Sequence, residues 1–387
     1  MLNSIRNETA IAGAYEHPTR KAPDKSTAQL HAEVAAGALE DAGLSLSDVD
    51  GYFTAGPPRD VLSMADYLGL NDLSAVDSTE VGGSSYLFHV GHAASAIAAG
   101  KCSVALVTMA GKPRTGSISG NRNPDIRPEI PFEDVFGTST VGKYALAAQR
   151  HMYEYGTTRE QLAEIRVAAS EHAQYNEDAM FQEPVTVEDV IESRPISEPL
   201  HLLDCCVISD GGGAVVVVDA DIAEELERDC VPVLGHGESV RHHEGGRVDL
   251  TRTAADESGA RAFEEAGVTP DDVDYASIYD SFTITVLETV EDLGFCAKGE
   301  GGEFVEKGAL RSPDGELPFN TDGGGLCNNH PSNRGGMTKI IEAVRQLRGE
   351  TAPVVQVPDA EIALAHGTGG GLTRMGCGTL VMGGGNV

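Results

Sequence analysis

The sequence lacks several patterns that mark common functional classes. No run of 18 or more apolar residues occurs, so we expect no membrane-spanning helix. Residues 1–18 also lack the long apolar core of a secretory signal peptide. The seven cysteines form no Cys-x-x-Cys pair and no Cys/His cluster with metal-ligand spacing, and no Gly-x-Gly-x-x-Gly follows a first strand. These absences predict a cytoplasmic protein with reduced thiols, no metal centre and no dinucleotide cofactor.

Basic residues are also scarce. The chain carries 28 Lys and Arg against 60 Asp and Glu, which gives a formal net charge of −32. Such a charge repels nucleic acids and anionic membranes, so neither is an expected partner. The acidic residues are spread along the chain, and we interpret them as a solvated surface adapted to a salty, halophilic cytoplasm. The alternative is an acidic binding surface.

An internal repeat is the clearest positive signal. Ala38–Tyr52 reads ALEDAGLSLSDVDGY, and 224 residues later Ala262–Ala276 reads AFEEAGVTPDDVDYA. Each copy has helical periodicity that stops at a glycine, Gly43 or Gly267, as expected for a left-handed residue after a helix. The sequence therefore predicts two copies of one α/β unit.

The copies define two halves. We place the first half at residues 1–231, with a polar loop insertion at about 111–200, and the second at residues 232–387. The insertion contains one strong helix pattern, from Thr158 to Gln174. Gly213–Val218 then reads GAVVVV, which is typical of a central strand covered on both faces. Alternating strands and helices predict sheets layered with helices.

Five segments, taken together and in order, resemble those of the thiolase superfamily, in particular its sterol-carrier-type and archaeal acetyl-CoA acetyltransferase-like members. The resemblance covers essentially the whole chain and implies the thiolase fold, an α/β architecture of two homologous βαβαβαββ halves with mixed sheets and a loop insertion in the first. The segments are SDGGGAVVV (Ser209–Val217), YDSFT (Tyr279–Thr283), NTDGGG (Asn320–Gly325), NHP (Asn329–Pro331) and HGTGGG (His366–Gly371).

One position departs from the family pattern. The nucleophilic cysteine of thiolases starts the helix after the third strand, and counting back from Gly100 places that slot on Gly83, with no cysteine nearby. Ser84 or Ser85 could replace it at a helix N-terminus, if a neighbouring base removes the hydroxyl proton. The alternative is that a serine only caps the helix.

The resemblance also implies roles for other side chains. His330 corresponds to the histidine that helps to activate the nucleophile and binds the thioester oxygen, and His366 to the base that moves a proton of the second substrate. Asn320 would stabilise an oxyanion, with Tyr279, which replaces a family histidine, as a second candidate. The structural alternatives are hydrogen-bonded loop and strand-end histidines and a core tyrosine. The residues expected to bind coenzyme A, a substrate carrier here, are Gly324, Gly325, Gly369 and Gly370.

His89 and His92 are three residues apart on the helix after Gly83, but the sequence offers no third metal ligand. We interpret them as a partly buried helix face, so no metal site is expected.

Three hypotheses for function follow from the resemblance. The first is an acyl-CoA acyltransferase of the β-ketothiolase (acetyl-CoA acetyltransferase) type, which forms or cleaves a 3-ketoacyl-CoA with serine as the nucleophile. The second is an aldolase that cleaves a β-hydroxyacyl-CoA with Tyr279 as the acid–base group. The third is a non-catalytic subunit that binds acyl-CoA. The resemblance also implies a homodimer or a dimer of dimers, and a small OB-fold, zinc-binding partner subunit.

The acidic surface generates a prediction about salt. We expect the melting temperature to rise by about 5 °C or more between about 0.1 M and 1 M KCl, because the Debye length falls from ~10 Å to ~3 Å and screens the self-repulsion. Differential scanning calorimetry measures the change, with sucrose of equal osmolality as the control. A melting temperature independent of KCl would contradict a salt-adapted surface.

Overall fold

A computed structural model describes residues 4–56, 61–116, 136, 139–242, 248–331, 335–371 and 374–384. The described strands are β1 (Thr9–Glu16), β2 (Gly51–Thr54), β3 (Ala75–Asp77), β4 (Val104–Gly111), β5 (Pro195–Ser197), β6 (Leu200–His201), β7 (Gly211–Asp219), β8 (Val231–His242), β9 (Tyr275–Ile278), β10 (Ile362–Gly371) and β11 (Arg374–Gly383).

The described helices are α1 (Thr27–Ala42), α2 (Val61–Leu68), α3 (Ser85–Ala98), α4 (Thr140–Tyr155), α5 (Arg159–Ala173), α6 (Val187–Glu192), α7 (Ala220–Glu225), α8 (Ala255–Ala266), α9 (Thr283–Asp292), α10 (Gly301–Glu306), α11 (Gly324–Cys327) and α12 (Gly336–Leu347). Within the described ranges, none of these helices is both long and apolar enough to cross a membrane.

Nine strands form one mixed sheet in the order β3-β2-β4-β7-β1-β8-β11-β10-β9, and β5 pairs with β6 separately. The first half supplies the first five strands of this order and the second half the other four. The halves meet where β1 pairs with β8 through only two residue pairs, Ala10 with Pro232 and Ile11 with Val231. The strand GAVVVV lies in β7, between β4 and β1, which confirms a buried central strand.

The internal repeat is confirmed in three dimensions. The strands β2 and β9 start 224 residues apart, and each is preceded by a 3-10 turn, Leu46–Asp48 or Pro270–Asp272. Both preceding helices end at a left-handed glycine, Gly43 with φ 69° and Gly267 with φ 68°. The element boundaries thus recur at the offset of the sequence repeat.

The helices lie in three layers: one between the strands of the two halves, and one on the outer face of each half. The central layer contains α3 and α12, which pack against each other and against strands of both halves. Their apolar side chains, such as Leu87 and Ile340, belong to one cluster with buried residues of β4, β7, β10 and β11. The helix α1 covers the outer face of the first half, and α8 covers that of the second. Because α3 starts inside the central layer, its N-terminus faces the second half.

The insertion is more structured than its sequence indicates. The predicted helix is confirmed as α5, with Thr158 as N-cap in a capping box with Gln161. The helices α4 and α6 were not predicted. The buried face of α4 consists largely of alanine, including Ala145, Ala147 and Ala148. The insertion packs on the second half, because α5 contacts α9, α10 and α11.

An ion-paired imidazole links the two halves. His92 on α3 lies 2.6 Å from a carboxylate oxygen of Asp77 in β3 and 3.0 Å from one of Glu238 in β8. These two hydrogen bonds raise the pKa of His92 to about 9, against the opposing effect of burial. The nearby His89 and His236 are kept neutral by burial, which lowers the pKa of each to about 4.

This link predicts a pH dependence of stability. Because the folded-state pKa of His92 is above the unfolded value of about 6.5, its contribution is complete below that pH and is lost as the pH rises through about 9. We expect His92→Gln to lower the melting temperature at pH 6 and to have little effect at pH 10. Scanning calorimetry across this range tests the expectation, and an equal effect at both pH values would contradict it.

Candidate active site

The turn Gly82–Ser84 precedes α3 and holds the slot that the sequence assigns to Gly83. A Cβ atom built on Gly83 would lie 2.6 Å from Cζ of Tyr279 and closer still to the carbonyl oxygen of Thr368. Contacts this short do not occur between real atoms, so the ring of Tyr279 fills the space that a side chain at Gly83 needs. The slot expected to hold a nucleophile is therefore occupied by a tyrosine from the second half.

Tyr279 and His330 form the central contact of the site. The phenol oxygen lies 2.8 Å from Nε2 of His330, and both side chains are buried. Tyr279 directly follows β9, and its main-chain N–H donates to the carbonyl oxygen of His366 at 2.9 Å. The main-chain N–H of His330 donates to Oγ of Ser209 at 2.8 Å. The structure thus brings together two of the predicted site residues.

Burial determines the charge of this imidazole. It lowers the pKa of His330 to about 4, and the Lys339 ammonium acts in the same direction while Asp280 opposes it. His330 is therefore neutral near pH 7, when one ring nitrogen can accept a proton and the other can donate one. A neutral imidazole hydrogen-bonded to a phenol is suited to proton transfer.

A buried ion pair supports the loop that leads to His330. Asp280 accepts main-chain hydrogen bonds from Gly325 at 2.8 Å and Leu326 at 3.0 Å, and Nζ of Lys339 lies 3.0 Å from the same carboxylate. Burial opposes the charge on Lys339, but the neighbouring carboxylates, Asp280 first, raise its pKa above the ordinary value. The pair is compensated, as buried charges must be.

Side chains of the first half hold the other end of this loop. The guanidinium of Arg20 donates to Oδ1 of Asn328 at 2.7 Å and to a carboxylate oxygen of Glu16 at 3.0 Å. The amide of Asn329 donates to Glu16 at 2.7 Å and accepts from Ser209 at 2.6 Å. We refer to these five residues as the inter-half clamp, because three of them belong to the first half and two to the second.

The structure corrects the expectation that a serine meets the imidazoles. Oγ of Ser84 is buried and lies 3.0 Å from the carbonyl oxygen of Val81 and 2.9 Å from that of Gly376. Oγ of Ser85 donates to the carbonyl oxygen of Gly82 at 2.8 Å. Neither hydroxyl forms a hydrogen bond with His330 or His366 among the described residues, so both serines secure the start of α3.

His366 also lies away from the Tyr279–His330 pair. Successive strand residues face opposite sides of a sheet, and Gly367, the next residue of β10, contacts Ser84 on the inner face. The imidazole of His366 lies on the outer face, where Nδ1 is 2.9 Å from Oγ1 of Thr379. Burial lowers its pKa to about 3. The position of β10 that faces the site is thus Gly367, which provides no side chain.

Asn320 has a structural contact where an oxyanion donor was expected. Its side-chain oxygen accepts from the N–H of Ile278, and its side-chain nitrogen donates to the carbonyl oxygen of Ile278, each at 2.8 Å. The residue adopts a left-handed φ of 42°, which asparagine tolerates better than most residues. Asn320 therefore fixes the end of β9, directly before Tyr279.

The glycines expected to cradle coenzyme A have other roles in the structure. The N–H groups of Gly324 and Gly325 donate to Asp322 and Asp280, so neither is free for a phosphate. A Cβ atom on Gly369 would collide with the carbonyl oxygen of Val81, so glycine here allows β10 to approach the turn at Gly83. Gly370 belongs to the same contact, because its nitrogen lies close to Gly82.

Sequence reasoning missed the residues that hold the site. Asp280, Lys339 and Glu16 are charged residues, and charged residues are usually exposed, so the sequence offered no reason to bury them. One signal could have indicated a role for Asp280, since this residue directly follows Tyr279 in the segment YDSFT that resembles the family. The described residues contain no cluster of three or more side chains suited to a metal ion. His89 and His92 instead bind a main-chain oxygen and carboxylates, respectively.

The contact between Gly83 and Tyr279 generates a prediction. We expect Gly83→Ala to destabilise the protein by about 1–3 kcal/mol, because the added methyl group overpacks the site. The midpoint of guanidinium unfolding measures the change. Gly142→Ala in α4 is the matched control. A Cβ atom added at Gly142 would lie 3.2 and 3.9 Å from its nearest neighbours, which are two serine hydroxyl oxygens. Equal stability of the Gly83 variant and the wild type would contradict the described packing.

Comparisons with known proteins agree with this architecture. The family model described as thiolase C-terminal domain-like matches residues 237–382. The acetyl-CoA acetyltransferase of Methanothermobacter thermautotrophicus is 36% identical over 94% of this chain and 96% of its own length. The steroid side-chain-cleaving aldolase of Thermomonospora curvata is 35% identical over 90% of this chain and 92% of its own length.

The solved structure of an Ltp2-ChsH2(DUF35) aldolase contains a chain that matches 98% of this chain and 98% of its own length, with a TM-score of 0.89 and 33% sequence identity. The matches extend over nearly the full length of both chains, and they confirm the fold and the family that the sequence segments indicated. The chain belongs to the thiolase superfamily.

Proposed function

We propose that this protein is a carbon–carbon lyase, an aldolase that acts on β-hydroxyacyl-CoA thioesters. The observation that carries the proposal is the 2.8 Å contact between the Tyr279 hydroxyl and Nε2 of His330, at the place where Gly83 has no side chain. The site thus offers a buried acid–base pair and no nucleophile in the slot. Retro-aldol cleavage requires the first and does without the second.

The reaction starts with the β-hydroxyl group of the substrate. Tyr279 passes its phenol proton to Nε2 of neutral His330 and accepts the hydroxyl proton of the substrate, so that the substrate oxygen forms a carbonyl group as the bond between C2 and C3 breaks. The electron pair of that bond passes into the thioester as an enolate. Protonation at C2 by the same pair then gives the shortened acyl-CoA and an aldehyde or a ketone. Atoms and charge balance without an oxidant or a second substrate.

Acyl transfer makes a different demand on the site. It requires a nucleophile that holds the acyl group, and a serine performs this only with a base beside it. The hydroxyl groups of Ser84 and Ser85 donate hydrogen bonds to main-chain carbonyl oxygens. The imidazole of His366 lies on the face of the sheet opposite to these serines. The similarity to an acetyl-CoA acetyltransferase supports a thiolase-fold enzyme that acts on acyl-CoA, and the similarity to two aldolases supports carbon–carbon cleavage as its reaction.

The proposal includes partners. Because the solved aldolase pairs Ltp2 with ChsH2(DUF35), we propose that this chain works with a second subunit, for which a small OB-fold, zinc-binding protein remains our expectation. We also propose a homodimer or a dimer of dimers in the cytoplasm. The edge strand β3, which has a strand neighbour on one side only among the described residues, supports assembly by sheet extension.

The lyase proposal generates a kinetic prediction. We expect Tyr279→Phe to lower kcat/KM for a β-hydroxyacyl-CoA by about 100-fold or more, because general acid–base groups contribute about 10²–10⁴-fold. Mass spectrometry of the released carbonyl product and the shortened acyl-CoA provides the measurement. The control is Tyr153→Phe, a change at a tyrosine that is 83% exposed.

The serine variants separate the two chemistries. If the protein is a lyase, Ser84→Ala and Ser85→Ala retain cleavage and no serine is labelled by radioactive acetyl-CoA. Formation of a 3-ketoacyl-CoA from acetyl-CoA, together with a labelled serine, would overturn the lyase proposal in favour of acyl transfer. Binding of both thioesters without turnover, alone and with the partner subunit, would favour a non-catalytic subunit.

A further inference from the structure

A cleft on the insertion contains a buried positive charge that the described protein does not neutralise. The cleft has a volume of about 500 Å³ and lies between α5 and the segment 179–185. Arg166 of α5 lines it and is only 2% exposed. Volumes of about 300–1,000 Å³ are typical of small-molecule sites. We propose that this cleft binds an amphiphilic anion, with the anionic group on Arg166 and the apolar part on Phe181 and its neighbours.

The guanidinium of Arg166 is buried and only partly hydrogen-bonded. It donates from Nη1 to the carbonyl oxygen of Leu326, while Nε is buried without a hydrogen-bond partner. No carboxylate among the described residues forms an ion pair with it within 4 Å. An isolated buried charge is strongly unfavourable unless an opposite charge compensates it. In a chain of net charge −32, a buried cation without an acidic partner indicates an anion from outside the chain.

The walls of the cleft carry the second part. The ring of Phe181 lies over the guanidinium, with 5.8 Å between Cζ of Arg166 and the ring centroid, and yet this phenylalanine is 48% exposed. Met180, Val185 and Leu203 extend the apolar wall. Bulky apolar side chains beside a cation suit a ligand with an apolar body and an anionic end, and they suit a free inorganic ion less well.

Two further charges bear on the cleft. Glu183 lines it, but its side chain is exposed and forms no ion pair with Arg166, so it competes weakly with an external anion. Arg114 lies beyond Met180, with Nη1 3.9 Å from the sulfur atom of that residue and 3.2 Å from the carbonyl oxygen of Arg20. A second cation at this edge strengthens the attraction for an anion.

The cleft is hydrogen-bonded to the loop of the active site. Arg166 binds the carbonyl oxygen of Leu326, the N–H of Phe181 donates to that of Cys327 at 2.9 Å, and the N–H of Met180 donates to that of Asn328 at 3.4 Å. These three consecutive carbonyl groups precede His330 by two residues or more. A ligand on Arg166 and Phe181 therefore stabilises the backbone that positions His330.

The shared chemistry of the ligand is an anionic oxygen group attached to an apolar body. Two sources provide it: a carboxylate on an aliphatic chain, and the phosphate groups of coenzyme A. Because either is detected by equilibrium binding, without turnover, the inference stands or falls separately from the proposed lyase reaction.

Isothermal titration calorimetry tests the inference, and it suits a chain without tryptophan. Octanoate, coenzyme A and inorganic phosphate are titrated separately into the wild-type protein at two KCl concentrations. We expect octanoate or coenzyme A to occupy one site per chain that depends on Arg166, and Arg166→Gln to weaken binding at that site by about 10-fold or more, since it removes the charge-assisted hydrogen bond to the anion. Glu183→Gln, the matched amide control, is expected to bind as tightly as the wild type or a few-fold more tightly.

The probe that depends on Arg166 identifies the source: octanoate alone indicates a carboxylate on an aliphatic chain, and coenzyme A alone indicates its phosphates. Phe181→Ala changes a half-exposed side chain, so it tests the apolar wall even if Arg166→Gln fails to fold. It should weaken the amphiphilic probe by about 5-fold or more and leave inorganic phosphate unchanged. Equal binding of every probe to all variants, or binding that KCl abolishes with no effect of Phe181→Ala, would overturn the proposal.

Discussion

The inter-half clamp is the interaction on which the site depends most. Arg20 and Glu16 from β1 and the segment after it bind Asn328 and Asn329, which lie immediately before His330. The sheets of the two halves share only two residue pairs between β1 and β8, so the strand pairing alone fixes their relative position weakly. Buried, charge-assisted hydrogen bonds have strict geometry. Here they fix the imidazole of His330, in the second half, relative to β1 of the first half.

In the same site, a side chain of the second half fills a space that the first half leaves open. Gly83 provides a space at the start of α3, and Tyr279 from the second half fills it. The same glycine-rich packing explains the other short contacts, since Gly367 and Gly369 let β10 approach the turn closely. The N-terminus of α3, which would favour an anionic nucleophile, thus faces the Tyr279 phenol, and this phenol is hydrogen-bonded to the neutral imidazole of His330. The arrangement replaces covalent chemistry by proton transfer in the lyase proposal.

The sequence predicts those features that have local causes. Helix periodicity, a left-handed glycine and a 3-10 turn recur at one offset, so the repeat and its boundaries follow from short segments. The pairing of Tyr279 with His330 depends on packing between distant segments, and only the family resemblance placed both at one site. His366 shows the limit of such reasoning, because a shift of one residue along a strand moves a side chain to the other face. The buried ion pair of Asp280 and Lys339 has no local cause that periodicity can detect.

The packing of Gly83 against Tyr279 has a consequence for divergence within the superfamily. A cysteine introduced at Gly83 has no room while the phenol ring is present, and shortening the tyrosine first removes the proposed acid–base group and leaves a cavity. Each single replacement therefore passes through a damaged protein, and after both replacements the carbonyl oxygen of Thr368 must still move to admit a side chain at position 83. A side chain at position 83 is thus opposed both by the volume of one aromatic ring and by the path of the β10 backbone.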